Sequence, residues 1–281
     1  MSICPGSSVV GVVVGVRVPG PASDERLPAL AFHDEITTQM LQKLLNATAL
    51  FLLTGVAAIA AGTHEGMEQL FGTWGNAMVN GTFGKDSPWV YYLDLSLRTT
   101  QSARPFPSSG QDYLLAAVVT HDAIGYRFNS NHAVHVGYAF QYAVSPLARV
   151  PTNENRAWEQ YTYTSPTPIG ALQLRSRLEQ RTVNIGSGTG VRFRQMVKLS
   201  YPLTDAWSVI GSDEIFVNVN SVDWGPVAGL DQNRVFVGVG YRFDPVFRTE
   251  IGYMNQYINR NLVYDRDFDL VSLNLYIDVP E

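Results

Sequence analysis

One eleven-residue run limits what this chain can fold into. It reads Ala171-Leu-Gln-Leu-Arg-Ser-Arg-Leu-Glu-Gln-Arg181. Leu172, Leu174 and Leu178 share one parity, and Gln173, Arg175, Arg177, Glu179 and Arg181 share the other. On a strand, alternate side chains point to opposite faces. One face is therefore aliphatic and the other densely ionic. A soluble sandwich rarely carries so much charge in one row. A transmembrane barrel is built this way, with apolar side chains toward lipid and polar ones toward the interior.

Other runs repeat the pattern. Trp89, Tyr91, Leu93, Leu95 and Leu97 oppose Tyr92, Asp94, Ser96 and Arg98. Val191, Phe193, Val197, Leu199 and Tyr201 oppose Arg192, Arg194, Met196 and Lys198, with Gln195 a polar interruption of the apolar row. Val235 to Phe243 opposes Arg234, Gly238, Gly240 and Arg242. Phe247, Ile251, Tyr253 and Tyr257 oppose Arg248, Glu250 and Gln256, and Val271 to Val279 opposes Ser272, Asn274, Tyr276 and Asp278. Each reaches roughly the 9–11 residues that cross a bilayer at a tilt. Asp213 falls on the apolar side of the run 206–220, which predicts a place near an interface or a strand end. The segment from Leu70 to Phe83 is the weakest strand.

Only 16% of the 281 residues are charged, and the mean hydropathy is −0.02. Helical membrane proteins are far more hydrophobic, whereas barrels expose half of each strand to water. A net charge of −5 argues against a nucleic-acid surface. The one candidate spanning helix starts at Met40. Lys43 precedes an apolar run, and Ala58-Ile59-Ala60 supplies a small-x-small cleavage site, so 40–61 reads as a secretory signal peptide. The rival reading is an anchor helix, but Asn46, Thr48 and Thr54 interrupt the run. Residues 1–39, which hold the only cysteine, Cys4, then read as lying upstream of the true start at Met40.

The fold class is all-β, and residues 62–281 are expected to form an antiparallel up-and-down transmembrane β-barrel. About eleven strands can be found, and an even count would make about ten or about twelve, with twelve favoured. Short turns (Asn129–Asn131, Pro202–Asp205, Asp244–Pro245) alternate with longer polar links, as periplasmic turns alternate with outer loops. Trp89, Tyr91, Tyr142, Tyr201, Phe243, Phe247 and Tyr257 fit interfacial girdles.

The parity assigns an ionic lining of Asp94, Arg98, Arg175, Arg177, Glu179, Arg181, Arg192, Arg194, Glu214, Arg234, Arg248 and Glu250. These groups either brace a narrow barrel through paired charges or form a basic constriction that favours anions. Catalytic candidates are weaker. His121, His132 and His135 cluster near one hairpin beside Asp122, but no strained serine motif accompanies them. The run Gly186-Ser-Gly-Thr-Gly190 has the wrong spacing for a nucleophile elbow. His132 and His135 lack the Cys or carboxylate company of a metal site. No catalytic residue, metal or cofactor is assigned.

The order of motifs resembles a family of uncharacterised bacterial outer-membrane proteins, domain of unknown function 2490. The matching segments are Ile124-Gly-Tyr-Arg-Phe128, Val136-Gly-Tyr138, Asn153-Glu-Asn-Arg-Ala-Trp-Glu-Gln160, Arg175-Ser-Arg-Leu-Glu-Gln-Arg181, Arg192-Phe-Arg194, Asp213-Glu-Ile-Phe216, Asp231-Gln-Asn-Arg234, Val239-Gly-Tyr241 and Glu250-Ile-Gly-Tyr253. The resemblance implies a location and a fold but no activity. One departure is the end Asp278-Val-Pro-Glu281, where barrel chains often carry an aromatic residue for the assembly machinery.

The function expected is therefore an outer-membrane barrel of structural or narrow passive-channel type. Its partners would be outer-membrane lipid, the barrel-assembly machinery and small anionic solutes, not nucleic acid. Two alternatives stand beside it: a lipid-acting outer-membrane enzyme with His121 or His135 as base, and a soluble periplasmic barrel that binds a ligand.

Overall fold

The computed structural model describes residues 67–100, 114–145, 147, 148, 150–260 and 265–280. The segments 1–39 and 40–61, read above as leader and signal peptide, lie outside the described residues. Every regular element among those described is a strand: β1 (Glu68–Thr82), β2 (Trp89–Thr100), β3 (Leu114–Arg127), β4 (His132–Ala143), β5 (Thr152–Thr167), β6 (Gly170–Val183), β7 (Gly190–Pro202), β8 (Trp207–Asn218), β9 (Gly229–Arg242), β10 (Phe247–Ile258) and β11 (Arg266–Asp278).

Sequence neighbours pair antiparallel, and β1 closes the sheet against β11. That last pairing is parallel, running from Glu68 opposite Arg266 to Asn80 opposite Asp278. Strand direction alternates, so the first and last of eleven strands point the same way and can close only in parallel. An even count is therefore not needed here, because a parallel seam removes both free edges as fully as an antiparallel one. The weakly patterned segment at Leu70 becomes β1 and supplies this seam.

Short turns gather at one rim: 83–88, 128–131, 168–169, 203–206 and 243–246. The longer links, the start of β1 and the end of β10 lie at the other. Two bulges interrupt the ladder, at Arg98/Thr99 and at Phe216/Val217. At the second, Asp231 and Gln232 both turn toward the interior, where both line the same cavity.

The outer wall is layered. At the short-turn rim, Trp89 meets Tyr126 edge-on at 5.2 Å, and Tyr241 lies between Trp207 (4.7 Å) and Phe243 (4.8 Å). Above them runs an aliphatic band. Its row on β2, Leu93, Leu95 and Leu97, is 43–45% exposed, so these leucines cover no protein core. On β10 and β11 the band gives way to a polar ladder toward the long-loop rim. Tyr257 donates to Asp265 at 2.6 Å, Asn255 to Asp267 at 2.6 Å, and Tyr253 to Asp269. An aromatic rim, an apolar belt and a polar margin match the layers of a bilayer.

Polar groups within the belt mostly have partners on the next strand. Ser176 Oγ bonds Gln195 Oε1 at 2.5 Å, which accounts for the interruption at Gln195. Asp213 sits mid-strand, not at an end as its parity predicted. It is 2% exposed, and Asn233 Nδ2 donates to one of its oxygens at 2.6 Å. Asp122 faces outward and exposed beside Leu93 and Tyr138. Leu172 keeps the outward parity but is buried, with Ser165 and Leu199 opposite it on the two neighbouring strands.

The interior is not uniformly polar. Leu70, Trp74, Ile210, Phe236, Met254, Phe268 and Leu270 form a buried apolar cluster, with Leu147 and Ile258 packed against it. It fills the sector where β8 to β11 and β1 meet. On the other side Trp158 is buried against Ala123 and Ala139. A Cβ on Gly137 would stand inside van der Waals distance of the Trp158 ring, so glycine there makes room for the indole.

Candidate functional site in the barrel interior

The ionic face of β6 looks inward between β5 and β7. Register places Glu179 opposite Arg192 and Arg177 opposite Arg194. Glu179 has no exposed surface. One of its oxygens accepts from Arg192 Nε at 2.9 Å and Nη2 at 2.6 Å, and the other accepts from Arg194 Nη1 at 2.6 Å. Arg177 stands 3.9 Å away and donates twice to Gln160, at 2.6 and 2.9 Å. Its guanidinium lies 4.1 Å over the Trp158 ring. A fully buried carboxylate is tolerable only with this many donors.

Glu214 on β8 extends the network by accepting from Arg175 at 2.7 Å and from Arg194 Nε at 2.9 Å. Arg192 reaches over β8 to Asp231 at 2.9 Å. Arg156 and Arg181 share Glu154 at 2.8 and 2.5 Å. Nearer the short-turn rim a second group forms. Lys198 meets both oxygens of Glu250, Tyr276 donates to Glu250 at 2.9 Å, and Arg248 joins Asp278 at 3.1 Å while lying 3.7 Å over the Tyr276 ring.

Arg98 and Arg234 stand apart. Neither forms an ion pair among the described residues. Arg98 has only Ser96 Oγ, at 3.4 Å, and Arg234 has only the amide of Gln232, at 3.3 Å, joined by Gln256 once that amide is turned to present its oxygen. Both lean on Trp74, at 4.1 and 4.8 Å from the ring centre.

Two interior cavities meet around these groups. One, of about 460 Å³, opens toward the long loops; the other, of about 190 Å³, lies toward the short turns. Trp74, Arg98, His121, Arg194 and Arg234 line both.

Several participants were not assigned from sequence. Glu154, Arg156 and Gln160 share the parity of Trp158, a signal available in the run itself. Trp74 was hidden in the weakest strand. Lys198 stands in the polar row of its run, but its partner Glu250 lies three strands away, and Asp231 reaches Arg192 through a bulge; no single run reveals either pairing.

The histidines separate. His132 faces outward at the short-turn rim, 2.6 Å from Tyr161 Oη. His121 and His135 face inward, with His121 Nδ1 2.9 Å from Asp94 Oδ2. No hydroxyl pairs with either inward ring among the described hydrogen bonds. No three His, Cys, Asp or Glu side chains among the described residues are arranged to hold a metal ion.

Comparison with known proteins adds three findings. The model of the family described as "Protein of unknown function (DUF2490)" matches residues 71–264. An uncharacterized protein of Methylorubrum extorquens is 26% identical over 242 residues, covering 84% of this chain and 97% of the relative. A solved structure described as a KdgM porin in complex with disordered oligogalacturonate is 12% identical, with a TM-score of 0.35, over 66% of this chain and 91% of the other.

Proposed function

The chain belongs to the family described as a protein of unknown function, DUF2490, and from the geometry of this member we propose a bacterial outer-membrane barrel of narrow passive-channel type with a preference for anions. In this reading the segment 40–61 directs export across the inner membrane, and the barrel-assembly machinery inserts the barrel with its short turns in the periplasm. The observation that carries the proposal is the closed sheet with a layered apolar exterior around an arginine-rich interior. Hydrocarbon is the solvent that suits the exposed aliphatic band. In water a belt of this extent would drive association.

The interior charge balance supports the anion preference. Glu154, Glu179, Glu214 and Asp231 stand among Arg156, Arg175, Arg177, Arg181, Arg192 and Arg194, and Arg98 and Arg234 add charge with no carboxylate of their own. Uncompensated guanidiniums in a low-dielectric wall favour anion entry.

Planar-bilayer recording tests the reading. Conductance steps whose reversal potential in a potassium chloride gradient follows chloride are expected. No steps at any voltage would remove the channel and leave a structural barrel. Release from membranes by a salt wash without detergent would favour the soluble alternative instead.

A further inference from the structure

The larger interior cavity has two unlike surfaces. Its floor is charged. Arg98 and Arg234 flank the Trp74 ring, and Arg234 also stacks on Phe216 at 4.5 Å, with Arg194 on the same ring at 4.4 Å. Guanidinium and arene thus alternate from Arg98 to Arg194. Arg194 is committed to Glu179 and Glu214. Arg98 and Arg234 have only the weak neutral acceptors described above, so their planar forks keep donors to spare. The mouth carries apolar side chains beside polar ones such as Asn218 and Asn259. Leu147, Val150, Ile185, Trp224 and Val227 come from three different long-loop links, and Ile258 from the end of β10.

We propose that this cavity binds an amphipathic organic carboxylate, its head group held by Arg98 and Arg234 and its apolar body against the ring at the mouth. Three observations converge on that class. A guanidinium without an ion-pair partner, fixed by stacking, offers a planar carboxylate two parallel bonds, and a second such guanidinium stands on the same Trp74 ring and adds charge. The apolar side chains at the mouth suit a ligand with an apolar body, which they would remove from water. A volume of about 460 Å³ lies in the range of small-molecule sites. The inference deepens the channel reading and rests on the same inward arginines, but it concerns equilibrium binding and not conduction.

The test uses the full barrel in detergent micelles, with phenylbutyrate as probe and phenylbutanol as its uncharged analogue. Isothermal titration should show saturable binding of phenylbutyrate, and binding of phenylbutanol weaker by roughly tenfold or more. Arg98→Gln with Arg234→Gln should weaken phenylbutyrate to the level of the alcohol. Folding of that variant is checked by heat-modifiable migration. If it fails to fold, Arg98→Lys and Arg234→Lys keep the charge but lose the fork, and each should bind about fivefold more weakly. Equal binding of acid and alcohol, or no change in the folded variants, would overturn the proposal. So would no saturable binding to the wild-type barrel, even where that barrel conducts ions. Binding without conductance would uphold this site and remove the channel reading alone.

Discussion

Lys198 on β7 and Glu250 on β10 meet inside the barrel although β8 and β9 stand between their strands, with Nζ 2.7 Å from one carboxylate oxygen and 2.8 Å from the other. This contact is a chord joining distant parts of the wall. Both side chains are largely buried, and removing Lys198 takes from Glu250 its nearest cation, leaving the Tyr276 hydroxyl and Arg248 at 3.5 Å. Lys198→Met should cost about 3–5 kcal/mol in urea unfolding from lipid vesicles. Lys198→Met with Glu250→Gln should recover a large part of that loss. Strict additivity of the two single changes would show that the pair is uncoupled.

Glu179 and Glu159 lie on opposite faces of the wall. Glu179 is buried and meets three arginines, whereas Glu159 is exposed and has the Gln180 amide at 3.1 Å. Glu179→Gln should destabilise by about 3–5 kcal/mol, since the arginines lose their shared counter-charge. Glu159→Gln should stay within roughly 0.5 kcal/mol. The same unfolding assay compares them, and equal effects would contradict the inside–outside assignment.

The bilayer reading makes its own demand on the exposed leucines. Leu95→Arg places a guanidinium in the aliphatic band of β2 and should cost about 2–4 kcal/mol in vesicles. On the surface of a water-soluble barrel the same change would move stability by roughly 0.5 kcal/mol or less. A neutral result in vesicles would count against hydrocarbon as the solvent of this face.

Acid should loosen the long-loop rim. Ser187 donates to Asp223 from its hydroxyl at 2.6 Å and from its backbone at 3.0 Å, joining the β6–β7 and β8–β9 links. These bonds hold the Asp223 carboxyl below its usual range. A depressed carboxyl stabilises above its unfolded value, and that contribution fades as pH falls through the folded one. Trp224, whose indole donates to Gly188 O at 3.3 Å, is the reporter. The emission it contributes, taken by difference from Trp224→Phe, should shift red in acid below the ordinary aspartate range. Asp223→Asn should flatten the transition, and an unchanged profile in that variant would assign the shift elsewhere.

Much of the wall could be read from alternation alone. A one-residue slip in β6 would turn Arg175, Arg177 and Arg181 outward, at about 2–4 kcal/mol for each arginine in the bilayer midplane. Patterns that strong leave a clear trace in sequence. Register leaves a weaker one. That Glu179 meets Arg192, and Asp231 meets Arg192 from two strands away, depends on pairings and on a bulge that no single run encodes. The parallel seam was hidden for another reason. The outward row of β1 includes Thr73, Gly75, Ala77 and Gly81, too small to give a hydrophobic alternation, while its inward row carries Leu70 and Trp74. The apolar interior sector inverted the expected polarity at β1 and at Phe268 and Leu270 for the same packing reason: a narrow barrel is filled by side chains.

Because β1 and β11 point the same way, Glu68 and Asp278 lie a full strand apart in height. A circular permutant that joined them would need a linker running the length of the seam, where Glu68 to Asn80 lies alongside Arg266 to Asp278. At about 3.3 Å per residue along a strand, a short glycine bridge cannot make that traverse. New ends could be opened in any surface link, but the two ends of the barrel could not be spliced without laying added chain along the outer wall or threading it down the middle.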